Sequence, residues 1–224
     1  MPDYQPTDRR LNLKLVYYGP ALSGKTTNLM QLHSLLRPQR KGELMVLETR
    51  DDRTLFFDLL PLGLRSAQGL DLRLKLYTVP GQVQHDSTRK AVLSRADGIV
   101  FVADSQLSQQ ENNAMAFDNL ADNLQKVGIS IEKIPLVIQF NKRDAAAIVP
   151  EHEVMACWRE TPWSDVSLAS ALNGIGVVET FQALLTRLYG ALNQELGLEH
   201  AEGISRDTFV QGLSRTEGVA DARP

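Results

Sequence analysis

Cys157 is the only cysteine in the chain, which excludes an intramolecular disulfide and a thiolate metal cluster. Set in Met155-Ala156-Cys157-Trp158, it reads as a small packed residue. Histidine is sparse too: His33, His85, His152 and His200 are scattered, without metal-ligand spacing. Neither sign of charge dominates. A net charge of −3 gives no electrostatic reason to expect nucleic acid or an anionic membrane as partner. No apolar run approaches the ~18 residues that a membrane-spanning helix needs. Met1-Pro2-Asp3-Tyr4 has no apolar leader core, and Pro2 stands where myristoylation requires glycine. Asp221-Ala222-Arg223-Pro224 offers no cysteine for prenylation. The expectation is a cytoplasmic protein with no integral membrane segment and no nucleic-acid partner.

What is present is an ordinary globular composition, 43% hydrophobic and 23% charged over 224 residues. Residues 11–18 alternate and then become continuously apolar, a strand running from sheet rim to interior. Leu70, Leu72, Leu74 and Leu76 alternate with Asp71, Arg73 and Lys75, a strand with one wet face and an antiparallel neighbour. Residues 99–103 and 136–140 are nearly unbroken apolar runs, as parallel strands covered on both faces should be. Shorter strands are expected at 44–47, 54–57 and 166–169. Phe117, Leu120, Ala121, Leu124 and Val127 share one helix face, as do Val178, Phe181, Leu185, Leu188 and Leu192. Further helices are expected after Lys25 and across 85–95. Alternating strands and helices predict an α/β fold with a mostly parallel sheet flanked by helices on both faces. Beyond Gly197 the periodicity fails, so residues 198–224 are expected to form a flexible tail.

Gly19-Pro20-Ala21-Leu22-Ser23-Gly24-Lys25-Thr26 fits the phosphate-loop pattern G-x-x-x-x-G-K-[S/T], between an expected strand and an expected helix. Backbone N–H groups of Gly19, Ser23, Gly24 and the following turn through Thr27 can surround a phosphate at the positive end of that helix. Lys25 would bridge β- and γ-phosphates, and the Thr26 hydroxyl would ligate Mg²⁺. Asn141-Lys142-Arg143-Asp144 stands at the carboxyl end of a buried strand, where ligands bind in such sheets. Asp144 can accept from both N1–H and the N2 amine of guanine, whereas adenine has no matching donor pair. Asn141 can reach N7 or tie this loop to the phosphate loop, and the Lys142 stem can lie over the base.

Ser170-Ala171-Leu172-Asn173-Gly174-Ile175-Gly176-Val177 follows the last expected strand. It matches the loop that closes over guanine in small GTPases, with the Ala171 N–H available to guanine O6. In this order the three elements resemble the Ras-like small GTPases over roughly residues 11–195. Tyr17-Tyr18-Gly19-Pro20, Arg53-Thr54-Leu55-Phe56-Phe57-Asp58, Tyr77-Thr78-Val79-Pro80-Gly81-Gln82 and Gln139-Phe140-Asn141-Lys142-Arg143-Asp144 look like the bacterial MglA family of polarity and gliding-motility GTPases. The domain organisation this implies is a lead-in at 1–10, a small GTPase domain at 11–197 and the tail at 198–224.

The resemblance also assigns the switches. Most Ras-like proteins carry D-x-x-G-Q in the second switch. Here Thr78 replaces the acid, as it does in the MglA family. Gly81 is placed to sense the γ-phosphate and Gln82 to orient the attacking water. Thr54 is the first-switch threonine expected to close on Mg²⁺ and the γ-phosphate. Arg53 is implied as an arginine finger in cis, moved into place by an activating partner of the Roadblock (MglB-like) type. The implied function is a GTP/GDP switch that hydrolyses GTP slowly alone and recruits polarity or motility effectors. The other reading is a GTP-binding interaction protein with negligible hydrolysis.

Overall fold

The computed structural model describes residues 2–36, 42–43, 45–46, 58–79 and 86–216. The expected strand at 54–57, together with Arg53, Thr54, Gly81 and Gln82, lies outside the described residues. The described strands are β1 (Asp3–Gln5), β2 (Arg10–Tyr18), β3 (Met45–Val46), β4 (Asp58–Arg65), β5 (Asp71–Thr78), β6 (Gly98–Asp104), β7 (Leu136–Asn141) and β8 (Ser167–Leu168). They form one sheet in the order β3-β4-β5-β2-β6-β7-β8, with β1 antiparallel to the start of β2. The pairs from β5 through β8 are parallel, and β3-β4 and β4-β5 are antiparallel. The helices are α1 (Lys25–Leu35), α2 (Asp86–Leu93), α3 (Gln110–Lys126), α4 (Glu151–Trp158), α5 (Val177–Leu196), α6 (Leu198–Glu202) and α7 (Arg206–Ser214).

The period-2 side-chain pattern explains how helices cover both faces. Along β2, Leu13, Leu15 and Tyr17 point into a core shared with Leu29 and Leu32 of α1 and Leu184 and Leu188 of α5. Val16 and Tyr18 point the other way, to Val92 and Leu93 of α2 and Leu120 and Leu124 of α3. Strand β6 splits likewise, with Val100 and Val102 on one side and Ile99, Phe101 and Ala103 on the other. No helix among the described residues is long and apolar enough to cross a membrane.

Pro61 and Gly63 obscure β4 in the sequence, yet neither breaks its ladder to β5. The Pro61 carbonyl accepts from the Gly42 N–H at 2.8 Å, on the side away from β5. A residue in a strand directs its N–H and C=O to the same side, so the donor that proline lacks belongs to that outer side too.

The expectation of a flexible tail is corrected for residues 198–216. After Gly197 caps α5 with φ 62°, the chain turns back as α6 and α7. Leu198, Ile204, Phe209 and Leu213 enter the α1–α5 core, each about 1% exposed or less. The Tyr189 hydroxyl donates to the Ile204 carbonyl at 2.9 Å, and the Glu202 carboxylate accepts from Arg9 at 2.7 and 3.0 Å. Helix α7 starts at a Ser205 cap that accepts from the Thr208 N–H. It lies against β4, with Gly212 facing Leu64. Phe209→Ala should therefore lower stability by about 3–5 kcal/mol in chemical denaturation, as emptying a core phenylalanine site does.

Cys157 is also corrected: it is exposed on α4 rather than packed. At the sheet end opposite the 19–26 loop, Asp97 accepts from the Lys14 backbone N–H at 2.8 Å. Burial nevertheless raises its carboxyl from the usual 3.8 to about 6. The fold thus prefers the protonated acid. That contribution is complete below pH 3.8 and is lost as pH rises through about 6. Asp97→Asn should raise Tm at neutral pH, through a gain of order 1–3 kcal/mol, and change little in acid. Parallel melts at the two pH values check this.

Candidate functional site

The 19–26 loop leaves the C-terminal end of β2, at the centre of the sheet, and opens into α1. Its backbone needs glycine at two places. Gly19 (φ 143°) leaves no room for a Cβ against the Val102 carbonyl, and Gly24 (φ 96°) none against the Asn141 amide. Lys25 is 7% exposed, and its Nζ donates to the carbonyls of Gly19 at 3.0 Å and Pro20 at 2.6 Å. Burial, and then the nearby Arg89 charge, bring the Lys25 ammonium down to about 7. The first-turn N–H groups of Lys25, Thr26 and Thr27 have no carbonyl partner within α1. Ser23 is fully buried, while Thr26 is exposed at the start of the helix. A strained loop, a desolvated cation and free helix-end donors make a cradle for an anion.

The second and third loops lie beside this cradle. Asn141 ends β7, and its side-chain amide donates to the Ser23 carbonyl at 2.8 Å. Of the two roles open to Asn141, the structure shows the tie to the phosphate loop. Its Oδ1 accepts the Ala171 N–H at 2.8 Å. That N–H was expected to be available for guanine O6; here it is taken by Asn141. Lys142 adopts φ 65°, and its Nζ pairs with Asp104 at 2.7 Å. Asp144 is exposed, and its Oδ1 accepts from the Ser170 hydroxyl at 2.5 Å. Asn173 in turn donates to Ser170 Oγ at 2.9 Å, and Leu172 stands 71% exposed at the rim.

Thr78 closes β5 on the other side of β2, in register with Tyr17 and 4% exposed. Among the described residues, no group of three or more His, Cys, Asp or Glu could hold a metal. The exposed Thr26 hydroxyl at the helix start suits an ion held mainly by phosphate oxygens. The site would accept Mg²⁺ in that manner.

A buried relay beneath the loops was missed in the sequence. Gln139 of β7 donates to Asn28 Oδ1 and to Thr180 Oγ1, both at 2.9 Å. Asn28 donates onward to the Gly24 carbonyl at 2.9 Å, and Thr180 to the Gly176 carbonyl at 2.6 Å. The 19–26 loop and the turn before α5 are thereby joined through one side chain. Its signal in the sequence is a lone glutamine inside an apolar strand, Leu136-Val137-Ile138-Gln139-Phe140. Gln139→Leu leaves buried Asn28 and Thr180 short of a donor, at about 1–3 kcal/mol for such a group. The expected result is a loss of about 1–3 kcal/mol of stability, measured by chemical denaturation.

These features define an α/β protein with a phosphate-loop motif at the end of its central strand and two further loops converging on it. The chain is 45% identical over 178 residues to the mutual gliding-motility protein MglA of Myxococcus xanthus (strain DK1622), spanning 80% of this chain and 91% of that protein. It belongs to the MglA family of small Ras-like GTPases. No protein-family model matches the chain.

Proposed function

We propose that the chain is a cytoplasmic switch that binds GTP and GDP with Mg²⁺ and hydrolyses GTP slowly by itself. The observation that carries this reading is Asn141, which bonds the 19–26 loop through Ser23 and the 170–172 loop through Ala171. Three loops suited to phosphate and base are thereby held as one unit. In this reading Gly19, Ser23, Gly24, Lys25, Thr26 and Thr27 hold the phosphates, and Gly81 senses the γ-phosphate. Asp144 and Lys142 select and cover guanine, with Asn141, Ser170, Ala171 and Leu172 shaping the base side. Thr26 and Thr54 hold Mg²⁺, which when bound neutralises charge on the β- and γ-phosphate oxygens. Gln82 orients the water, and Arg53 stabilises the charge that develops on the γ-phosphate.

The name of the Myxococcus relative supports a role in motility or polarity, exercised through effectors that distinguish the GTP and GDP forms. A Roadblock-type, MglB-like partner would supply activation by reorganising residues 44–58. Thr78, in place of the acid usual in Ras-like proteins, favours one second reading: a GTP-holding interaction protein with negligible hydrolysis. GTP turnover by the purified protein, alone and titrated with a Roadblock-type protein, separates the two. A slow rate that the partner raises supports the switch. Tight GTP binding with no turnover under either condition supports the second reading.

A further inference from the structure

We propose that the cleft between α3 and α4 docks a cationic amphipathic segment of a partner protein. The cleft encloses about 490 Å³. Its lining includes Phe101 and Ala103 of β6 and Phe140 of β7, with Phe117 from α3 and Val154 and Trp158 from α4. A cavity of this size and apolarity is typical of binding sites rather than packing faults.

Its charges point to the occupant. The charged residues of the lining are Asp118 on α3 and Glu153 on α4, and both are acidic and exposed. Neither makes an ion pair among the described residues. Glu111 and Asp122 continue the acidic stripe of α3 at helical spacing on either side of Asp118. The only lysine or arginine in the two helices is Lys126, in the last turn of α3. An apolar floor between two acidic walls calls for an apolar anchor with cations on both sides. An amphipathic helix with aromatic or leucine residues on one face and lysine or arginine flanking them provides that arrangement. The carboxylates would speed and orient its approach, and the floor would retain it.

The cleft carries its own reporter. Trp158 and Trp163 are the two tryptophans of the chain, and their rings stand 6.2 Å apart around Phe117. Tryptophan emission of the full chain can be followed against a synthetic Leu/Phe/Lys amphipathic helix and a counterpart with Glu for Lys. The Lys peptide should give a saturable emission change that weakens in high salt, and the Glu peptide none. Asp118→Lys with Glu153→Lys should weaken binding about ten-fold or more, because two attractions become repulsions. Ala114→Phe, which fills the cleft from α3, should abolish it. Unchanged circular dichroism melts of these surface variants establish that they fold, independently of any nucleotide assay.

The proposal is overturned if the Lys peptide fails to bind, if both peptides bind alike, or if binding survives charge reversal or filling. An apolar dye that enters while the peptides do not would also overturn it and assign the cleft to a small molecule.

Discussion

Arg53→Ala should reduce partner-stimulated GTP turnover by about 10³–10⁵-fold and leave GDP affinity nearly unchanged. Catalysis of phosphoryl transfer rests on positioning and on stabilising charge at the transferring group, so a missing cation is felt in the transition state and hardly in the bound ground state. In the proposed reading the described site leaves such a contribution to be supplied from outside it. Lys25 is one desolvated cation whose head is turned to the carbonyls of Gly19 and Pro20, and Thr78 stands where an acid would help hold the metal. Arg53→Lys should rescue little, because a point charge lacks the planar fork that spans two phosphate oxygens. Gln82→Ala should lower turnover without the partner as well as with it, since it removes the group that orients water. Equal rates for Arg53→Ala and the unchanged chain under full stimulation would remove the arginine-finger assignment.

Asp144→Ala is expected to weaken GDP binding by about 10²–10⁴-fold and to erase most discrimination against adenine. Each hydrogen bond from a guanine N–H to a carboxylate is worth ~1.5–3 kcal/mol, and Asp144 is proposed to accept two. The carboxylate is positioned in advance: the Ser170 hydroxyl holds Oδ1, and Asn173 holds Ser170. Less ordering is then needed when the base arrives. Asp144 is exposed, and among the described residues only the Ser170 hydroxyl loses its acceptor. Its truncation should cost at most about 1–3 kcal/mol of stability and leave the chain folded, which separates recognition from folding. Isothermal titration with GDP and ADP measures both affinities on one preparation.

The parts of the fold legible in the sequence are those where one local rule suffices. Strands β2, β6 and β7 are apolar runs of the right length, and the unbroken runs of β6 and β7 already imply burial on both faces. The 19–26 loop is legible because a strand and a helix flank it, and the Asn141–Asp144 segment because it stands at the carboxyl end of a buried strand. Strand β4 was hidden by Pro61 and Gly63, which are harmless only because Pro61 turns its missing donor away from β5. Helix α7 has little signal in the sequence because Phe209, Val210 and Leu213 are few among polar residues. What holds them is α5, against which the chain turns back, together with β4, which lies far off in the sequence.

The relay at Gln139 was illegible for a related reason, since Asn28 lies 111 residues away and Thr180 lies 41. The motif named Ala171 as a donor to the base but could not show that Asn141 would claim its N–H. Arg53, Thr54, Gly81 and Gln82 lie outside the described residues, so their roles rest on resemblance and on the chemistry that the described loops leave to be supplied.

Displacement of labelled GDP by unlabelled nucleotides tests the central claim most directly. The account predicts that GTP and GDP displace the label at similar concentrations in Mg²⁺, while ATP at about a thousand-fold excess leaves it bound, because adenine cannot supply the donor pair for Asp144. Displacement by ATP as effective as by GTP would contradict guanine selectivity and with it the assignment of the three loops.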